Sequence, residues 1–258
     1  MARRRSREKQ PSREDYRLKE KLKIEEGVFE PRTMLRLGKL FNAGIISSME
    51  FIIARGKEAD IYAAMPGDRV DSDVVALKIF RIETSNFRRR VAYIHGDPRF
   101  GKVRETLTGI VGEWCKKEYA NLQLANAGGV HAPKPYAFSG NVLAMEFVGT
   151  GGKPSARLRE TELGNPASTL RAIMEDVGRL LETGLVHADL SEYNVLMKGD
   201  VPYLIDFGQA VSVEHPNATD LLRRDIGNIT SFFNKRYALG ADAETAFEAA
   251  RKLSEFTA

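Results

Sequence analysis

The segment His187-Ala188-Asp189-Leu190-Ser191-Glu192-Tyr193-Asn194, with Asp206-Phe207-Gly208 beginning twelve residues after Asn194, decides how this chain is read. It offers two carboxylates and a carboxamide at fixed offsets. Two short apolar runs lie between them, at 195–197 and 203–205, and the second (Tyr203-Leu204-Ile205) reads as a strand that delivers Asp206. Just upstream is the clearest helix of the chain. Asn165 suits an N-cap and Pro166 the first helical position. Leu170, Ile173, Met174, Val177, Leu180 and Leu181 then share one face, and Gly184 closes the helix. Downstream, Leu221, Leu222, Ile226, Ile229, Phe232 and Phe233 predict a helix over about 218–236, and a last one covers about 242–256.

The first half of the chain is patterned differently. Met34, Leu35, Leu37, Leu40 and Phe41 approach helical spacing after Pro31, with a stop near Gly44. Strand-like runs follow at 49–54, 59–64 and 74–80, the first two flanking Arg55-Gly56-Lys57-Glu58. Residues 83–110 are basic and poorly periodic and read as a long loop. Trp114, Tyr119, Leu122, Leu124 and Ala125 predict a helix over 112–127, ended by Gly128-Gly129. Strands are expected at 135–138 and 142–148, then a flexible stretch, TGGKPS. Lys78 interrupts the run Val74-Val75-Ala76-Leu77-Lys78-Ile79-Phe80. A charge in so apolar a strand needs a partner or an exposed edge. Glu118 is the leading candidate partner and Glu113 the alternative.

Together the pattern H-x-D-L-x-x-x-N, the Asp-Phe-Gly, and the V-A-L-K strand resemble the catalytic parts of protein kinases. Phosphoryl transfer asks for in-line positioning and charge neutralisation more than for covalent help. Asp189 would orient or deprotonate an attacking hydroxyl. Asn194 and Asp206 are hard oxygen ligands suited to Mg²⁺, with Mn²⁺ as an alternative, and Lys78 would face the phosphates of ATP. Departures are also clear. G-x-G-x-x-G is absent, and Gly56 alone stands between the first two strands. His-Arg-Asp is replaced by His187-Ala188-Asp189. No Ala-Pro-Glu follows, and fifty residues remain after Gly208, too few for the peptide-binding platform of ordinary kinases.

Gly56-Lys57-Glu58-Ala59 with Tyr62, Lys78, Lys116-Lys117-Glu118, Met145-Glu146-Phe147-Val148-Gly149, the 187–194 segment, Asp206 and Arg223-Arg224-Asp225-Ile226 together resemble the RIO family of atypical serine/threonine protein kinases, type one in particular. The resemblance implies a bilobal α+β, protein-kinase-like fold. Its N-lobe is a twisted antiparallel sheet plus one helix, and its helical C-lobe is truncated. On this reading residues 1–26 form a basic tail, disordered or partly helical. Residues 27–148 form the N-lobe, with an N-terminal helix and a flexible loop at 83–110, and residues 149–258 form the C-lobe. On the same reading no winged-helix domain is expected ahead of residue 28. The resemblance further implies ATP held by Gly56, Lys57, Glu58, Lys78, Glu118 and Met145, with adenine read by the backbone of Glu146 and Val148. It implies catalysis by Asp189, Asp206 and Lys78, and metal at Asn194 and Asp206. An ATP-dependent part in maturation of the small ribosomal subunit is expected, and so is phosphate acceptance by Asp206 itself.

Composition is consistent with a globular chain: 43% hydrophobic, 29% charged, 9% aromatic. Cys115 is the only cysteine, which excludes an intrachain disulfide and a cysteine-rich zinc site. No apolar run is long enough for a membrane span, and the expected address is the cytoplasm. The net charge of +4 is uneven. Residues 1–24 carry ten Lys/Arg against four acids, and residues 78–104 eight against two. Two basic stretches suggest a polyanion, most simply RNA or a pre-ribosomal particle. This leaves a second reading, an RNA-binding assembly factor clamped by nucleotide with little kinase activity. A third is a small-molecule kinase of the aminoglycoside type, against which the Gly-Lys-Glu-Ala turn argues. The protein phosphoacceptor is not legible.

Overall fold

The computed structural model describes residues 29–82, Tyr93, Asp97, Arg99 and residues 106–253. The tail 1–26 and most of the expected loop 83–110 lie outside the described residues. Helix α1 (Pro31–Asn42) begins on the expected proline, and the chain turns out of it at Gly44, whose φ of +68° favours glycine. Strands β1 (Ile46–Arg55), β2 (Ala59–Pro66), β3 (Val75–Phe80), β4 (Pro135–Ser139) and β5 (Val142–Glu146) form an antiparallel sheet in the order β1-β2-β3-β5-β4. The expected strand 142–148 ends at Glu146.

Every residue of β3 is buried, because both faces of the sheet are covered. Val75, Leu77 and Ile79 pack with Val142 and Ala144 against Met34, Leu37 and Leu40 of α1. The alternate residues Ala76, Lys78 and Phe80 point to the other face, as the two-residue period of a strand requires. That alternation places Lys78 on the cleft side.

Helix α2 (Leu107–Ala127) covers that second face. It starts five residues earlier than the sequence predicted, so residues 107–110 belong to a helix and not to a loop. Thr106 is its N-cap, accepting a hydrogen bond from Gly109 N at 3.1 Å, and Ile110 and Val111 are buried. Leu124 and, on α1, Leu35 face outward despite their apolar spacing.

Gly149 opens the second lobe. The stretch expected to be flexible forms a small hairpin, β6 (Gly149–Thr150) with β7 (Lys153–Pro154), turning on Gly151 and Gly152, both at positive φ. Strand β8 (Ala156–Arg157) and a 3₁₀ turn (Leu158–Glu160) lead to α3 (Pro166–Glu182), where Asn165 Oδ1 caps Ser168 N at 3.0 Å. Strand β9 (Leu185–Val186), the hairpin β10 (Val195–Lys198) and β11 (Val201–Leu204), β12 (Val211–Ser212), α4 (Ala218–Tyr237) and α5 (Ala243–Leu253) complete it. β10 lies between β11 and β8 and pairs with both, and β12 pairs with β9. The second core runs without a break from Phe80, Trp114 and Leu122 through Phe207 to Ile173, Val177, Ile226 and Phe233. Each such side chain contributes roughly 1.5–3 kcal/mol by leaving water. This shared core fixes the two lobes against each other across the cleft. Among the described residues no helix is long and apolar enough to cross a membrane.

Candidate active site

Between the lobes lies a cleft of about 650 Å³. Gly56, Lys57, Glu58, Lys78, Glu118, Met145, Glu146, Val148, Asp189, Asn194 and Asp206 all line it. Arg55 and Gln209 also reach it, as do Ser155, Arg157 and Glu160, which the sequence did not single out.

The roof is the β1–β2 turn. Gly56 N donates to Ala59 O at 2.9 Å, and a Cβ on Gly56 would meet that oxygen at 2.7 Å. The single glycine is therefore required by close backbone approach. Arg81 N ties the turn to the sheet through Glu58 O at 2.9 Å.

Lys78 Nζ donates to both carboxylate oxygens of Glu118, at 2.7 and 2.8 Å, and to Asp206 Oδ1 at 2.9 Å. Burial alone would favour the neutral amine. The Asp206 and Glu118 carboxylates outweigh it and raise the Lys78 pKa. Desolvation likewise pulls upward on Asp206, yet the Lys78 ammonium holds that carboxyl below its usual range. The alternative partner Glu113 pairs instead with Lys116 at 3.5 Å on the outer side of α2.

The floor is the 187–194 loop, held from α4. Asp225 accepts from Ala188 N at 2.7 Å and Leu190 N at 3.0 Å, Arg224 donates to Ala188 O, and Asn228 Nδ2 donates to Leu190 O at 3.1 Å. These bonds fix Ala188 at φ +63°, a left-handed conformation rare outside glycine. Burial pushes the Asp189 carboxyl up to about 6, aided by the charge of Asp206 and opposed by Arg224 and Asn194. Asn194 Nδ2 donates to Asp189 O at 2.8 Å and to its Oδ2 at 3.2 Å, so Oδ1 is the ligand atom Asn194 could offer a cation.

The sequence offers Asp225 only as part of the Arg223–Ile226 motif, without a role, and does not single out Asn228. A signal was present: Leu222, Ile226, Ile229 and Phe233 form the buried stripe of α4, and Asp225 falls on the same stripe. An acid there must serve something internal.

Among the described residues no group of three or more His, Cys, Asp or Glu is arranged to hold a metal ion by itself. Asn194 and Asp206 nonetheless offer a partial shell of hard oxygens. Phosphate oxygens and water would complete it for Mg²⁺, which keeps several waters and seldom takes an all-protein cage.

On the far wall, Glu146 N donates to Lys134 O at 2.7 Å and Ser155 N donates to Val148 O at 3.0 Å. Main-chain bonds thus set the path of the lobe-connecting strand, leaving Met145 and Val148 as apolar lining.

The family model for the RIO domain matches residues 60–246. A RIO-type serine/threonine-protein kinase Rio1 of Haloferax volcanii is 40% identical over 248 residues, covering 96% of this chain and 84% of the relative. The human serine/threonine-protein kinase RIO1 is 32% identical over 90% of this chain, which spans 42% of that longer relative. The Rio2 kinase of Chaetomium thermophilum, solved as an ADP/Mg²⁺-phosphoaspartate complex, superposes with a TM-score of 0.65 at 25% identity, covering 87% of this chain and 71% of that one. The chain belongs to the RIO family of atypical serine/threonine protein kinases.

Proposed function

We propose that the cleft binds ATP with Mg²⁺ and transfers the terminal phosphoryl group, and that this chemistry serves maturation of the small ribosomal subunit. The observation that carries the reading is the Lys78 ammonium bridging Glu118 in one lobe and Asp206 in the other. Lys78 is placed to meet phosphate oxygens, with Glu118 orienting it. The Gly56-Lys57-Glu58 turn covers the phosphates with backbone N–H groups. The backbone of Glu146 and Val148 reads the adenine edge, while Met145 and Val148 supply apolar contact. Asn194 and Asp206 would hold Mg²⁺, which when bound neutralises the phosphate charge. Asp189 accepts the proton of a serine or threonine hydroxyl, autophosphorylation included. In a second use of the same site, Asp206 takes the phosphoryl group, ADP leaves, and water later hydrolyses the acyl phosphate. The Rio2 phosphoaspartate complex supports that step by analogy.

The test is turnover of [γ-³²P]ATP by the full chain. Asp189→Ala should lower phosphorylation of hydroxyls by about 10²–10⁴-fold. Label that is hydroxylamine-labile and lost in Asp206→Asn would identify the acyl phosphate, whereas acid-stable label on Ser or Thr would identify hydroxyl acceptors. Wild-type turnover in both variants would sink the reading.

The charge distribution favours an additional role in binding RNA. Removal of residues 1–24, with ten basic side chains, should weaken RNA binding and reduce its salt dependence. An unchanged salt slope would exclude the tail as an RNA contact.

A further inference from the structure

Helix α2 carries more polar groups on its buried side than pairing with Lys78 requires. Trp114, Lys117, Glu118, Asn121, Leu122 and Ala125 share that side, and Lys117 and Asn121 have no solvent exposure at all. A lysine is rarely enclosed so completely. Burial pulls its pKa down to about 7, with Asp97 as the main opposing charge at 3.9 Å. The Lys117 ammonium donates to Gly208 O at 3.3 Å and to Ala210 O, and lies 5.8 Å from the centre of the Trp114 ring. Asn121 Nδ2 donates to Phe207 O at 2.8 Å and to Ala210 O at 3.0 Å. Two adjacent turns of one helix therefore engage three carbonyls within the four residues that follow Asp206.

Asp206 itself sits at φ +67°. A non-glycine residue stays in that region only where its surroundings over-determine it. From the preceding side, His187 Nε2 bonds Ile205 O at 3.0 Å. From the following side, the restraint comes from α2. We infer that Lys117 and Asn121 are positioning residues that clamp the main chain after Asp206 and thereby aim its carboxylate into the cleft. Glu118, next to Lys117, holds the same carboxylate through Lys78. One stretch of α2 thus sets both the side chain and the backbone of Asp206. Asp97, in the segment between β3 and α2, supplies the buried counter-charge and is itself bound by Arg99 at 2.5 Å.

The inference rests on the reading of Asp206 as a metal ligand, and the experiment separates the two. Lys117→Met, Lys117→Arg, Asn121→Leu and Asp206→Asn are prepared in the full chain. Outer-shell partners of metal ligands typically alter metal affinity or activity about 10–100-fold. Lys117→Met should therefore raise the Mg²⁺ concentration for half-maximal turnover about tenfold or more, leave the Kd of Mg²⁺-free ATP within about threefold, and be partly rescued by Lys117→Arg. Hydrogen exchange should accelerate in peptides spanning 203–212 and stay unchanged in α3. A folded Lys117→Met with wild-type Mg²⁺ dependence and unchanged exchange at 203–212 would overturn the clamp. If Lys117→Met does not fold, Asn121→Leu reports on the same two readouts through the other half of the clamp. Wild-type turnover in Asp206→Asn would overturn the metal-ligand reading and the Mg²⁺ arm with it, and the exchange arm would still decide the clamp.

Discussion

Glu118 receives two hydrogen bonds from the Lys78 ammonium, at 2.7 and 2.8 Å, and its own side chain is 1% exposed. A buried pair of this kind costs its members their hydration and returns it only through good geometry. Here the geometry includes a third member, Asp206, which reaches the same ammonium from the other lobe. Opposite lobes are thus joined through one nitrogen, at the point where phosphate charge would arrive.

Glu118→Gln should leave the chain folded, because the amide oxygen still accepts one bond and Asp206 still neutralises Lys78. Loss of one oriented charge should lower kcat about 10²-fold, with a smaller change in the KM for ATP. Steady-state ATP turnover measures both. An equal loss in the two parameters would mean that Glu118 only shapes the nucleotide pocket.

A prediction on stability concerns Asn141, buried at the β4–β5 turn. It donates to Phe80 O at 2.7 Å and to Thr33 Oγ1 at 3.2 Å, and accepts from Arg36. One side chain thereby fastens α1 to the end of β3. Asn141→Leu leaves a carbonyl and a guanidinium without their partner and should cost about 1–3 kcal/mol. Urea denaturation checks this, and kcat of the folded protein should be unaltered.

These residues show how much the sequence could disclose. Helix α3 was legible because cap, proline and a continuous apolar stripe agreed. The lysine in β3 was legible because a charge inside VALKIF has no bland explanation. The start of α2 was not, since Gly109 and Gly112 interrupt its first turns and Lys117, Glu118 and Asn121 place polar groups on its buried side. Helical periodicity fails where the core itself is polar. The hairpin at Gly151-Gly152 was taken for flexibility, although two residues at positive φ are what a tight turn needs. The motif residues were legible as one group, and the structure gathers them at one cleft. Lys117 on α2 and Asp225 on α4 stood inside quoted motifs, but no motif spacing reveals which backbone group a buried side chain will meet.

Gly56→Ala tests the roof of the cleft. The added Cβ would lie 2.7 Å from Ala59 O, closer than such atoms approach, and the obstacle is backbone and cannot swing aside. The turn must shift, while the rest of the sheet need not. Displacement of positioning groups by about 1 Å can cost up to about 10²-fold in rate. The expected outcome is reduced kcat/KM for ATP with a melting temperature close to that of the parent. Unchanged kcat/KM would show that this turn does not touch the nucleotide.

Two buried groups flanking the 187–194 loop should tilt stability with pH in opposite directions. Burial lowers His187 from 6.5 to about 4, against the opposing Asp206 charge and the Ile205 carbonyl. The unfolded chain then takes up a proton before the folded one, so stability is lost as pH falls from about 6.5 towards 4. Burial raises Asp225 from 3.8 to about 7, against its bonds from Leu190 N and Ala188 N. There the folded chain takes up its proton first, so stability is gained as pH falls through 7 and is lost as pH rises again. Between pH 7.5 and 5 each effect is about 2 kcal/mol and the two offset one another. Removing either exposes the other. In His187→Phe, which keeps a ring against Phe207, the unfolding free energy at pH 5 minus that at pH 7.5 should rise above the wild-type difference. In Asp225→Asn the same difference should fall below it. Urea titrations at the two pH values give both numbers. No shift in one variant would show that its group titrates in the folded protein as it does in water, and shifts of the same sign in both would show that one of the two pKa values is displaced in the opposite direction.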